Sequence, residues 1–268
     1  MVELTLPLFG LLFAAGIAAG FVDSIAGGGG LITLPTLLWA GLPPAHSLAT
    51  NKLQSSFGSL SATYHYARGG HVDSKTFLVP VLCTFVGAVS GSATVQHLDS
   101  PFLANLLPLL LVGIALYVLF SPRVGDYDAR QRVGVVTFGL TAGFGIGFYD
   151  GFFGPGTGSF FSVACVVLLG FNLTRATAHA KLLNFTSNFA SLLAFLVGGK
   201  VLWGVGLAMG AGQVLGARLG SRLVMRAGAR VVRPVLVTAS LLITLRLVWG
   251  DPDHLLRQGW RMFWDLLG

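Results

Sequence analysis

One stretch of this chain occurs twice, and any fold it adopts has to place both copies. The first copy reads Gly20-Phe21-Val22-Asp23-Ser24-Ile25-Ala26-Gly27-Gly28-Gly29-Gly30, then an apolar run to Gly41, then Ala49-Thr50-Asn51-Lys52-Leu53. The second reads Gly147-Phe148-Tyr149-Asp150-Gly151-Phe152-Phe153-Gly154-Pro155-Gly156-Thr157-Gly158, an apolar run to Gly170, then Ala178-His179-Ala180-Lys181-Leu182. Asp23 aligns with Asp150 and Gly27 with Gly154 at an offset of 127, whereas Gly41 and Gly170, and Lys52 and Lys181, align at 129. Each copy therefore sets an acid, a glycine-rich break and a lysine into sequence that is otherwise almost uncharged.

That surrounding sequence is a membrane's. Of the 268 residues 54% are hydrophobic and 10% charged, against roughly a quarter charged in a soluble domain. The stretches 4–22, 76–98, 100–122, 133–149, 182–199 and 201–217 contain no Asp, Glu, Lys or Arg, and about 17 to 25 apolar residues cross a bilayer as a helix. The short alternating segments of a transmembrane barrel are absent, so an all-α integral membrane protein is expected. The net charge of +7 would suggest nucleic acid in a soluble protein. Here the basic residues lie in short loops between apolar runs and act as orientation signals, so no nucleic-acid partner is expected. Met1 to Thr5 lack the basic start of a signal peptide, so the first segment is expected to be retained. Cys83 and Cys165 stand singly in apolar stretches and are expected to pack.

Ten apolar segments divide five and five: about 4–22, 30–41, 45–67, 76–97 and 102–120, then 133–149, 158–170, 174–199, 201–217 and 234–250. This sets a first transmembrane repeat at 1–122, a second at 123–250 and a tail at 251–268. The second segment of each five is too short for a roughly 30 Å core at 1.5 Å per residue, so a broken or re-entrant helix is expected after each glycine motif. Loops 68–75, 121–132 and 218–233 are basic, while 97–101 carries no Lys or Arg and its counterpart 218–233 carries five Arg. Equivalent loops then face opposite sides, the expectation for two inverted-topology repeats. In the tail, Leu255, Leu256, Trp260, Phe263, Trp264 and Leu267 recur with a helical period among polar residues, a pattern for an amphipathic helix on the membrane surface.

The chemistry should lie at the two breaks. Backbone amides freed within a bilayer must find protein, water or ligand, and at the start of a half-helix they make an anion site. Gly27, Gly28, Gly29 and Gly30 form one such turn; Gly154, Gly156, Thr157 and Gly158, with Pro155, form the other. The alternative is that glycines serve helix packing, as expected for Gly16/Gly20, Gly87/Gly91, Gly139/Gly143 and Gly212/Gly216. Neither turn is followed by the Lys-Ser/Thr of a nucleotide-binding loop. Lys52, Ser55 and Ser59 share one helix face at i, i+3 and i+7, and Lys181, Asn184 and Asn188 repeat the spacing. Two such stripes would line one cavity, because an intramembrane lysine is costly unless it is paired or wet. Alternatively, each lysine neutralises the aspartate of its own copy, Asp23 or Asp150. Those acids could also cap the following helix, or take up a coupling proton or cation. His46, His65 and His179 could move protons but are expected in ordinary hydrogen bonds or loops, and Arg175 is expected as an interface anchor. No HExxH, GxSxG or paired-cysteine motif is present, which favours transport over intramembrane catalysis.

The residues GFVDSIAGGGGLITLPTLLWAGLPPAHSLATNKLQSSFGSLSATYHYARGG, together with GPGTGSFFSVACVVLLGFNLTRATAHAKLLNFTSN, resemble the two halves of the sulfite exporter TauE/SafE family over about 5–250. The resemblance implies secondary transport of sulfur-containing anions such as sulfite, thiosulfate or organosulfonates across a bacterial inner membrane, with no cofactor. By position it places the glycine turns, Asn51, Lys52, Lys181 and Asn184 along the substrate path. Ala180 stands opposite Asn51 and Pro155 opposite Gly28, which weakens a symmetric two-lysine scheme. The expected partners are a small anion, the lipid bilayer and a coupling proton or ion, and glycine pairs permit a homodimer. A membrane assembly protein without transport activity is the alternative.

Overall fold

The computed structural model describes residues 6–99, 101–103, 106, 107, 110, 111, 113 and 128–227. Most of the expected segment at 102–120, the segment at 234–250 and the amphipathic tail at 251–268 lie outside the described residues. Within them the chain is helical, with no strand. Helix α1 (Leu6–Ala26) is followed by the short α2 (Gly30–Trp39), then α3 (Pro44–Arg68) and α4 (Leu78–Gln96). In the second copy, α5 (Val135–Phe138) passes through a π turn at Gly139–Gly143 into α6 (Phe144–Phe152). The short α7 (Thr157–Leu169), then α8 (Leu173–Val197) and α9 (Trp203–Ala227), complete the described chain. By length and composition α1, α4 and α8 can each cross a bilayer.

The breaks fall where the sequence places them. Gly27 adopts φ 75, and Gly154 and Gly156 adopt φ 104 and 83, a region closed to most side chains. The short helices start directly after these turns. Gly41 and Gly170, at φ 82 and 71, end them. Leu37, Leu42 and Ala40 pack with Leu8 and Leu12 of α1, so α2 turns back toward the side on which α1 began.

Packing interleaves the two copies. A Cβ on Gly16 would lie 2.4 Å from the carbonyl oxygen of Met209, and one on Gly20 at 2.4 Å from that of Gln213, while Gly212 and Gly216 meet the carbonyls of Phe13 and Ile17 in return. Helices α1 and α9 thus touch backbone to backbone and run in the same direction, the close approach expected of small-residue seams in membranes. The same arrangement joins α4 to α6, where Gly87 and Gly91 meet the carbonyls of Phe144 and Phe148, and Gly147 and Gly151 meet those of Thr84 and Ala88. The first helix of each copy is locked to the fourth of the other. Helix α3 runs beside α8 in the opposite sense: the amide of Leu202, just past α8, donates to Thr50 near the start of α3 at 3.1 Å. At the other end, the amide of Asp73, past α3, donates to His179 near the start of α8 at 3.1 Å.

One boundary differs from expectation. The basic segment 218–233 is not wholly a loop, because α9 continues to Ala227 and carries Arg218, Arg222 and Arg226 on helix. Arginine is a good helix former, and Gly220 lies within the helix, where it makes room for the backbone of Phe21 on α1. The outer faces carry exposed apolar stripes, such as Leu78, Leu82 and Val86 on α4 and Val136, Leu140 and Phe144 at the π turn. These stripes suit lipid rather than water.

Candidate functional site

The two glycine turns lie against each other in the centre of the molecule. A Cβ on Gly27 would sit 2.2 Å from the carbonyl carbon of Gly158, and one on Gly30 would sit 3.0 Å from Pro155 Cα. The Ser159 hydroxyl at the start of α7 donates to the carbonyl of Ala26 at the end of α1, tying one turn to the other. The site is therefore built jointly by both copies.

Each lysine reaches this junction and is held by an aspartate. Lys52 Nζ lies 2.9 Å from Asp150 Oδ1 and also donates to the Asp150 carbonyl. Lys181 Nζ lies 2.9 Å from Asp23 Oδ2. The alternative in which each lysine neutralises the aspartate of its own copy does not hold: both pairs cross between copies. The reason is the antiparallel placement of α3 and α8, which brings each lysine to the end of the opposite copy's first helix. The two ammonium groups stand at opposite ends of one turn. A Cβ on Gly154 would come within 2.8 Å of Lys52 Nζ, and one on Gly158 within 2.9 Å of Lys181 Nζ and 3.3 Å of Asn184 Nδ2. A side chain at either glycine would push an ammonium away.

The aspartates also occupy the helix starts. Asp23 Oδ1 accepts the Gly29 amide at 3.2 Å, one residue before α2. Asp150 Oδ1 accepts the Thr157 hydroxyl at 2.9 Å, at the first residue of α7. In this conformation the protein's own carboxylates sit where the dipoles favour negative charge. The two pairs differ in enclosure: the Asp150 side chain is 1% exposed and that of Asp23 13%, with both lysines at 0%. Asp150 Oδ2 has no hydrogen-bond partner among the described residues, which leaves one buried acceptor open.

The remaining expected residues are distributed more widely. Asn51 meets the first turn through Thr33 and not through an ammonium: its Oδ1 accepts from Thr33 of α2 and from Gln54, each at 2.6 Å, and Thr33 in turn donates to the Gly29 carbonyl. Ser55 is half-buried, and Ser59 donates to the Ser55 carbonyl at 2.6 Å. Asn188 donates to Asn184 Oδ1 at 2.7 Å, so these two amides form one group beside Lys181. Gly28 has only ordinary contacts, its Cβ position lying 3.6 Å from Val22. His179 Nε2 accepts from the Asp73 amide and its Nδ1 lies 2.9 Å from the Arg175 carbonyl, an ordinary double hydrogen bond. Arg175 stacks at 3.9 Å on Phe171.

Sequence reasoning missed a chain of buried amides. Gln213 of α9 donates to Gln54, which bonds Asn51 and through it Thr33, and all four residues are buried. The available signal was Gln54, three residues after Asn51, and Gln213, alone among small apolar residues. The second copy has Leu183 opposite Gln54 and Ala180 opposite Asn51, packed in an apolar cluster with Phe161 and Cys165. One side of the junction is polar and the other dry.

Among the described residues no cluster of metal-ligating side chains occurs. Comparison with known proteins adds a lineage. The family model for the sulfite exporter TauE/SafE matches residues 12–247. A probable membrane transporter protein of Haemophilus influenzae is 46% identical over 97% of this chain and 100% of its own length. The probable membrane transporter protein YfcA of Escherichia coli K12 is 49% identical over 91% of both chains, and ORF9 of Sinorhizobium sp, with the same description, is 51% identical over 96% and 98%. No solved structure matches.

Proposed function

The chain belongs to the sulfite exporter TauE/SafE family, and its relatives are membrane transporters; from that premise we propose that it is a secondary transporter of small sulfur-containing anions in the bacterial inner membrane. The observation that carries this reading is the pair of ammonium groups held at either end of the Gly154–Gly158 turn, each by the aspartate of the other copy. An oxyanion is a diffuse negative charge with several acceptor oxygens. It can replace a carboxylate at an ammonium without leaving a buried charge unpaired, a state that costs several kcal/mol.

Binding starts at Lys181, whose partner Asp23 is the more exposed of the two. The anion takes the place of Asp23 at Lys181 Nζ and gains Asn184 Nδ2 beside Gly158. Asp23 is freed to take up a proton, which couples substrate to the proton gradient. The Lys52–Asp150 pair closes the opposite end until the protein reverses its access.

The architecture supports two inverted-topology repeats, since equivalent helices α3 and α8 run in opposite senses. The same packing supports a division into rocking bodies. Backbone contacts fasten α1 to α9 and α4 to α6, so the moving units each combine helices of both copies, with α3 and α8 meeting between them. The crossed ion pairs bridge these units, and breaking one pair loosens one end of their interface. That is the requirement for alternating access.

The test is uptake by proteoliposomes of sulfite, thiosulfate, sulfate and a short organosulfonate. Saturable uptake of one anion by the intact protein, abolished by Lys181→Ala and by Lys52→Ala, is the expected result. Absence of flux for all four in folded protein would overturn the assignment.

A further inference from the structure

A groove of about 910 Å3 runs between α3 and α9 on the outer face of the molecule, away from the glycine junction. Its floor is fixed by the Ser61 hydroxyl, which donates to the Val214 carbonyl at 3.2 Å. Phe57, Leu60 and Val214 line one end and are exposed by 38%, 48% and 36%. At the other end stand Arg68, Arg218 and Arg222, all exposed. Arg68 donates to the Tyr64 hydroxyl at 3.2 Å. No arginine here has a carboxylate partner among the described residues.

The two ends ask for one molecule with two chemistries. Phe57 lies eleven residues before Arg68, about 16 Å along a helix, which is close to half of a roughly 30 Å hydrocarbon core. The groove thus extends through one leaflet. Its basic end lies at the level of the headgroups, on the side that basic residues mark as cytoplasmic. Orientation alone would need only the charge. It would not gather guanidinium groups from two helices around the head of a solvent-sized apolar channel. We infer that this groove binds an anionic phospholipid, with an acyl chain along Phe57, Leu60 and Val214 and the phosphate held by Arg68, Arg218 and Arg222. Basic pockets between transmembrane helices suit such headgroups.

The experiment places the full chain in nanodiscs of equimolar phosphatidylglycerol and phosphatidylcholine and measures, by native mass spectrometry after detergent release, which lipid stays bound. The intact protein and an Arg130→Gln/Arg132→Gln control should retain phosphatidylglycerol. Arg218→Gln/Arg222→Gln should hold it about thirtyfold more weakly, from two charges at a membrane surface. Val214→Trp, which fills the groove but keeps every arginine, should lose it too. Equal retention by all four proteins would overturn the inference, as would displacement of the lipid by inorganic phosphate alone. A photoreactive residue at position 60 supplies the decisive check. Crosslinks to lipid are expected, and crosslinks to residues 228–268 or to a second copy of the chain would assign the groove to those occupants instead.

Discussion

Lys52 Nζ lies 2.9 Å from Asp150 Oδ1 across 98 positions of sequence, and its counterpart Lys181 lies 2.9 Å from Asp23 Oδ2 across 158. The two pairs exchange partners between the repeated stretches, so neither copy can neutralise its own charges. Each copy therefore needs the other in order to be stable in lipid.

The crossing predicts a specific pattern of rescue. Lys52→Met leaves the Asp150 carboxylate buried without its cation and should cost about 3–5 kcal/mol, read as a fall in melting temperature in detergent. Adding Asp150→Asn should recover most of that loss, whereas adding Asp23→Asn should deepen it. Rescue by Asp23→Asn would contradict the pairing.

The glycines of the first turn should separate by position. Gly27→Ala places a methyl inside the backbone of Gly158 at a positive φ and should abolish stable protein. Gly28→Ala meets nothing nearer than 3.6 Å and should change the melting temperature little. Comparable behaviour of the two variants would mean that the turns do not touch.

The helix seams give a second contrast. Gly87→Val or Gly216→Val forces backbone-packed helices apart and should cost several kcal/mol, the range for overpacked interiors and beyond. Gly145→Ala, on α6 across the seam from Gly87 but with open space around it, should be neutral or slightly stabilising through helix propensity. Yield and monodispersity after membrane extraction would separate the two outcomes.

Coupling can be read from Asp23. On the proposed coupling, Asp23→Asn removes the carboxylate that holds Lys181, so anion uptake should persist but lose its stimulation by an imposed proton gradient. Uptake into proteoliposomes with and without that gradient is the measurement. Stimulation equal to that of the intact protein would remove Asp23 from the coupling path and leave Asp150, with its open Oδ2, to be tested in the same way.

The sequence by itself determined the class of fold and the location of the breaks. Charge-free runs of bilayer length leave helices as the economical solution in lipid, and Gly27, Gly154 and Gly156 mark backbone conformations that few other residues adopt. It also marked Asp23, Asp150, Lys52 and Lys181, because charges in such runs need a reason. What it could not determine was which acid meets which base, since an ion pair depends on where two helices lie and not on their spacing along the chain. Only the tertiary structure, by running α3 against α8 and seating Gly27 on Gly158, decided that the pairs cross and that Asn51 turns to Thr33 and Gln54. It likewise decided that Gln213, inconspicuous among small apolar residues, reaches Gln54 and makes the junction polar on one side. Local sequence sets where a helix must stop, and the direction in which the next helix packs sets what its side chains meet.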